Sequence, residues 1–219
     1  MDLTVSDLVV TAERGQVILS VPNLTVKAGA LVGVRGPSGA GKSTLLFALA
    51  GLLGNAKGRV AWGDTDLIAL SQGRRTTFRA ANIGMIFQDF LLFEELSAQA
   101  NADLAALFRP KRARGEISER ARERLTHLAV PDQDRRVASF SGGERQRVAV
   151  ARALAHDPPI LLADEPTASL HRAAADALID DLSTMVHEAG KSLIAVSHDT
   201  ALLERMDRVV SIEDGQLAS

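Results

Sequence analysis

Apolar positions along the chain follow two periods. The opening third carries short apolar runs broken by turn residues: Leu3 to Val10, Val17 to Leu24, and Leu31 to Val34 running into Gly36-Pro37-Ser38-Gly39. Runs of that length predict strands. Beyond the glycines, Leu45, Leu46, Leu49 and Leu53 recur at helical spacing, and Gly51 and Gly54 stop the helix. The unit reads strand, loop, helix.

Further along, Ile83 to Phe87 predicts another strand, Ser97 to Phe108 returns to helical composition with Pro110 ending it, and helix dominates to about Ala155. Ile160 to Ala163 and Leu193 to Val196 are continuous apolar runs, the pattern of strands buried on both faces of a parallel sheet. Between them Leu178, Leu182 and Met185 mark one face of a helix that Gly190 terminates, and Asp214-Gly215 reads as a hairpin turn. Strand, helix, strand in succession predicts right-handed crossovers and an α/β fold with helices packed on a sheet. The helix-rich residues 89–157 then form an inserted lobe, leaving 1–88 and 158–219 as the core of one domain.

With 219 residues, 46% apolar and 24% charged, the chain has material for one substantial core and a smaller lobe. Its longest apolar run, Leu45 to Gly54, is about half of the roughly 20 residues a membrane-crossing helix needs, and Met1 to Val5 lacks a basic, then apolar, leader pattern. A cytosolic location is expected. The absence of cysteine excludes disulfides and thiolate metal sites. A net charge of −2 gives no global reason to bind nucleic acid, and none is expected as a partner. The locally basic stretch from Arg109 to Arg124 is interrupted by Glu116, Glu119 and Glu123, which reads as a solvated helix face.

Gly36-Pro37-Ser38-Gly39-Ala40-Gly41-Lys42-Ser43, followed by Thr44, fits the phosphate-loop pattern G-x-x-x-x-G-K-[ST] between a predicted strand and a predicted helix. Glycines let several backbone N–H groups converge on one anion, and the helix N-terminus adds partial positive charge. Lys42 supplies a full charge to the β and γ phosphates of a nucleotide. Ser43 offers a hydroxyl to Mg²⁺, which prefers hard oxygen ligands. The strand Ile160 to Ala163 ends in Asp164-Glu165, the carboxylate pair such a site needs: Asp164 for the Mg²⁺ shell, Glu165 to polarise the attacking water.

Ser139-Phe140-Ser141-Gly142-Gly143-Glu144-Arg145-Gln146-Arg147, shortly before the carboxylates, resembles the signature motif of ATP-binding cassette proteins, with Phe140 and Glu144 replacing the usual leucine and glutamine. Ser141, Gly142 and Gly143 would face an anion from a helix start. The resemblance extends from about Leu3 to Leu217. It implies a phosphate-loop NTPase core with a mainly parallel sheet, an N-terminal antiparallel β subdomain and an inserted α-helical subdomain. Gln88 matches the Q-loop, which links the Mg²⁺ and water site to the helical lobe, and His198 matches the switch histidine at the γ-phosphate. Within the family, the run from Ile83 to Phe90 is similar to cassettes of lipoprotein-release, macrolide-efflux and cell-division complexes.

The resemblance further implies ATP hydrolysis by a dimer of cassettes, most simply a homodimer, that drives a separate integral membrane permease-like subunit from the cytoplasmic face of the inner membrane. The alternative is a scaffolding cassette with low turnover; a phosphate-loop kinase would leave the signature motif unexplained. Two positions depart from the family pattern. Ala168-Ser169-Leu170-His171 puts histidine where the D-loop usually has aspartate, and Leu8 to Ala12 lacks the aromatic residue that stacks on adenine. Phe90-Leu91-Leu92-Phe93 has two readings, a part of the chain's own core or a patch covered by the membrane partner.

Overall fold

The computed structural model describes residues 1–218, without the side chains of Met185 and Glu188. The chain opens with β1 (Leu3–Thr11), β2 (Val17–Val26), β3 (Leu31–Arg35) and α1 (Lys42–Leu49), then β4 (Ala56–Trp62), β5 (Thr65–Asp66), α2 (Gln72–Asn82) and β6 (Ile83–Ile86). A helical stretch follows: α3 (Ala98–Ala102), α4 (Leu104–Leu107), α5 (Lys111–His127) and α6 (Gly142–Leu154). The chain closes with β7 (Ile160–Asp164), α7 (Arg172–Glu188), β8 (Ser192–Val196), α8 (Thr200–Glu204), β9 (Arg208–Glu213) and β10 (Gln216–Ala218).

Among the described residues all ten strands join one sheet, ordered β5-β4-β1-β2-β10-β9-β3-β8-β7-β6. Its two halves differ in sense. β5, β4, β1 and β2 pair antiparallel, whereas β9, β3, β8, β7 and β6 pair parallel. The short β10 is the seam, antiparallel to β9 and parallel to β2 through Gln216 and Ser20. The hairpin expected at Asp214-Gly215 is present, both residues at positive φ.

Strands buried on both faces explain the continuous apolar runs. Along β7 and β8 the side chains alternate: Leu161, Ala163, Leu193 and Ala195 join the core shared with α5, α6 and α7. Ile160, Leu162, Ile194 and Val196 join the core shared with α1 and the antiparallel strands. Leu45, Leu46 and Leu49 of α1 are fully buried in that second core, each stabilising it by roughly 2 kcal/mol. α1 ends at Leu49, before Leu53, because Gly51 turns the chain at φ 63°. In α7, Leu178 and Leu182 are buried as the periodicity requires, while the Met185 side chain lies outside the described residues.

The helix expected over 97–108 is two short helices, with Ser97 capping α3 through Ala100 N, and Pro110 is the residue before α5 rather than the end of a long helix. α2 buries no residue; instead Arg75 and Arg79, one turn apart, donate to the carbonyls of Leu53, Ile68, Leu70 and Gly51. The segment after β6 runs along the start of the signature region: Ala138 N donates to Glu94 O, Val137 N to Leu96 O, and Ser97 bridges Arg136.

Candidate functional site

The C-terminal ends of β3, β6, β7 and β8 converge on one cleft of about 620 Å³. Ser38, Gly39, Gly41, Lys42, Ser43 and Thr44 line it from the loop between β3 and α1; Gln88 follows β6, Asp164 and Glu165 end β7, and His198 follows β8. Ligand crevices of open α/β sheets form at this edge, where the strand ends are free of crossovers.

Backbone geometry explains the loop's glycines. A Cβ at Gly36 would sit 2.0 Å from the carbonyl oxygen of Ile212. Gly41, at φ 100°, precedes α1 in a left-handed conformation and supplies no side-chain cap, and the first turn of α1 has no acidic residue. The helix N-terminus is therefore left with free N–H groups and uncompensated partial charge, the condition for holding a phosphate. Lys42 is 8% exposed, and its Nζ donates to Gly36 O and Pro37 O, both at 2.8 Å. An ammonium has three protons, so one remains for the ligand. Ala40 is buried beneath the loop and does not line the cleft.

Asp164 is 4% exposed, and its Oδ1 has no hydrogen-bond partner among the described residues. Burial raises its pKa, against the opposing effects of the Ser43 hydroxyl and the Lys42 charge. A buried, unpartnered carboxylate oxygen beside a serine hydroxyl fits a divalent cation of hard character. Among the described residues no three acidic or histidine side chains are placed to hold a metal ion by themselves, so such a cation would draw its remaining ligands from phosphate and water.

Glu165 sits at φ 49°, a conformation costing a non-glycine residue on the order of 1 kcal/mol. Its N–H donates to Val196 O at 2.9 Å, tying the turn after β7 to the end of β8. The carboxylate receives the His198 N–H at 3.3 Å and the Ser197 hydroxyl at 3.4 Å, and its Oε1 lies 3.5 Å from His198 Nε2. Glu165 and His198 thus form one unit. Asp199, unnoticed in the sequence, organises the other wall: it caps α8 through Ala201 N and accepts from Thr167 Oγ1 at 3.2 Å and Arg172 at 3.0 Å. Ile18, Thr167, Ala168 and Val196 also line the cleft. None of the lining residues is phenylalanine, tyrosine or tryptophan.

Ser141, Gly142 and Gly143 lie outside this cleft. They open α6, where Gly143 packs against Leu170 and Gly142 faces Ser169 of the D-loop. Ser141 and Glu144 form a capping box, Ser141 N donating to Glu144 Oε2 at 2.7 Å and Glu144 N to Ser141 Oγ at 3.3 Å. The Ser141 N–H is the first cause holding the Glu144 carboxyl below its usual range. His171, the departure from the D-loop pattern, caps α7: its Nδ1 accepts from Ala174 N at 3.4 Å.

The ABC transporter family profile matches residues 19–168. This chain belongs to the ABC transporter family. It is 42% identical over 202 residues to the lipoprotein-releasing system ATP-binding protein LolD of Nitrobacter hamburgensis, spanning 91% of this chain and 86% of that one. It is 40% identical over 201 residues to the ABC transporter ATP-binding protein YbbA of Escherichia coli K12, spanning 91% and 88%. Its fold superposes with a TM-score of 0.91 on the ATP-binding cassette MJ0796, solved as a dimer in a post-hydrolysis state bound to ADP and Pi, at 31% identity over 99% of this chain and 97% of that one. The family and the cassette fold expected from five ordered motifs are borne out. As an ABC cassette, the chain is an ATPase that uses ATP.

Proposed function

We propose that this cassette hydrolyses Mg²⁺-ATP as a homodimer on the cytoplasmic face of the inner membrane, driving an integral membrane subunit of the lipoprotein-release type. The observation that carries it is the convergence of Lys42, Ser43, Gln88, Asp164, Glu165 and His198 on one cleft at the mouth of an uncapped helix. The free N–H groups of the loop and of the start of α1 hold the β-phosphate, and the Lys42 ammonium reaches the β and γ oxygens. Ser43 and Asp164, with Gln88 at the rim, would hold Mg²⁺, which when bound offsets negative charge on the phosphates. Glu165 accepts a proton from the attacking water, its carboxylate oriented by Ser197 and the His198 N–H. His198, 58% exposed at its side chain, is free to contact the γ-phosphate.

Ser141, Gly142 and Gly143 meet the γ-phosphate of the second copy. The capping box supports this role, because accepting from Glu144 N leaves the Ser141 hydroxyl proton to donate outward. Ile18, an exposed residue beside the phosphate loop, is the apolar wall available to the base. Leu91 and Phe93 are more than half exposed, while Leu92 packs on the core, so the patch after Gln88 is divided between the two readings drawn from the sequence. Its exposed part fits a helix of the membrane subunit.

Melting curves with and without Mg²⁺-ATP test the site. A ligand at about 100 times its Kd adds ~2.7 kcal/mol to native stability, and Lys42→Ala removes most of that gain. An unchanged ATP-dependent shift in the variant would take Lys42 out of the site.

A further inference from the structure

The turn directly after Gln88 is held in an unusual way. Phe90 and Leu91 both have positive φ, 60° and 49°, a pair of left-handed residues without a glycine between them. A bulky residue avoids that region, so two in succession persist only where their surroundings impose it. Arg152, near the end of α6, supplies the constraint. Its guanidinium donates through Nη2 to Phe90 O at 2.6 Å and through Nη1 to Leu91 O. No carboxylate among the described residues pairs with it, and burial alone lowers its pKa to about 10.

A second arginine on the same face of α6, seven residues earlier, holds the other end of this segment. Arg145 Nη1 pairs with Glu94 Oε1 at 3.1 Å, while its remaining nitrogens donate to Phe140 O and Ala138 O. The stretch from Phe90 to Glu94 is thus fastened at two points to the helix whose first residues are the signature motif. From Ser141 to Arg152 that helix spans roughly 16 Å. One rigid rod joins the signature to the turn that carries Gln88.

We infer, on the ATP-hydrolysing reading above, that Arg152 is a positioning residue: its forked grip on the carbonyls of Phe90 and Leu91 fixes Gln88 relative to the signature helix. Any displacement of Ser141 to Gly143 then reaches Gln88 without slack. The fork is what matters, since two coplanar nitrogens each meet one carbonyl, whereas a lysine would have to serve both from a single nitrogen with no fixed plane. Lysine at this position keeps the charge and the aliphatic stem but loses the paired geometry.

The test uses the full chain with Arg152→Lys, and Arg152→Gln as a second variant should lysine fail to fold. Hydrogen exchange over residues 89–93 should quicken about tenfold while the amides of α6 keep their protection. Turnover should fall about tenfold in kcat with the KM for ATP within about twofold, the sign of lost positioning rather than lost binding. Leu91 is exposed, so adding Leu91→Gly removes little packing and lowers the cost of the left-handed turn. That double variant should recover at least half of the lost kcat. Unchanged exchange over 89–93, or a kcat loss that Leu91→Gly does not relieve, would overturn the role of Arg152. A wild-type chain that does not hydrolyse ATP would instead overturn the ATPase reading, and the exchange result still decides the grip.

Discussion

Two helix N-termini in this molecule, both assigned to the same anion in the proposed function, are finished in opposite ways. α1 begins after Gly41 with no side-chain cap and no acidic residue in its first turn. α6 begins with a complete capping box, Ser141 and Glu144 satisfying each other's N–H groups. An uncapped terminus costs about 1 kcal/mol relative to a capped one, and α1 recovers that only when a phosphate binds. The capped terminus is stable without ligand, keeping the N–H groups of Gly142 and Gly143 and the Ser141 hydroxyl proton for an outside partner. On the proposed function one chain carries a phosphate cradle and a separate half-site, a division that fits the dimeric state in which the MJ0796 cassette was solved.

The largest effect that sharpens this contrast comes from separating binding from chemistry at α1. Glu165→Gln keeps the shape beside His198 but cannot accept a proton, so turnover should fall by about 10²–10⁴ while ATP still binds. A variant that hydrolyses at the wild-type rate removes Glu165 from the chemistry. Single-turnover measurements with radiolabelled ATP distinguish the outcomes.

Acid should act on the signature helix. His156, two residues beyond α6, is kept neutral mainly by burial and secondarily by the Arg109 charge, with its pKa lowered to about 4. Its folded pKa lies below the unfolded value of 6.5, so the unfolded chain binds a proton that the native chain does not between those limits. Stability from the neutral ring is present above pH 6.5 and lost as pH falls towards 4, at most about 3 kcal/mol. Denaturant titrations at pH 7 and pH 5 should show a smaller loss in His156→Leu than in wild type. Equal losses in the two proteins place the acid sensitivity elsewhere.

The smallest effect tests the contrast itself. Glu144→Ala removes half of the box, freeing the Ser141 N–H while the Ser141 side chain still caps α6, and should lower stability by about 1 kcal/mol, read by chemical denaturation. A neutral result would mean the capping box contributes nothing.

Most of the site was legible in the sequence because its chemistry demands fixed residues at fixed spacing: Ser38, Gly39, Gly41, Lys42, Ser43, Asp164, Glu165 and His198 all reach the cleft, while Ala40 is buried beneath the loop. The strands feeding it were legible because burial on both faces leaves unbroken apolar runs. β4 was not, since Lys57, Gly58 and Arg59 hide its period and only Val60, Ala61 and Trp62 are buried. α2 has no buried residue to give a helical stripe, being fastened by arginine to carbonyl bonds instead. Arg152 acts on carbonyls of a distant segment and Asp199 on the side chains of Thr167 and Arg172, partners that no spacing rule announces, whereas the Glu144 cap follows the S-x-x-E spacing from Ser141. Glu144 reads from the sequence as a tolerated replacement for glutamine; its capping geometry supplies the physical reason.

The division of the site between two chains is tested most directly by mixing two defective cassettes. Lys42→Ala disables the cradle and leaves the signature helix; Ser141→Arg blocks the signature and leaves the cradle. Placed in a Glu165→Gln background to trap the ATP-bound state, neither alone should form a dimer on size-exclusion chromatography with Mg²⁺-ATP. Mixed, they share one intact composite site, and a mixed dimer should appear. A mixture that stays monomeric where the Glu165→Gln parent dimerises would contradict the account.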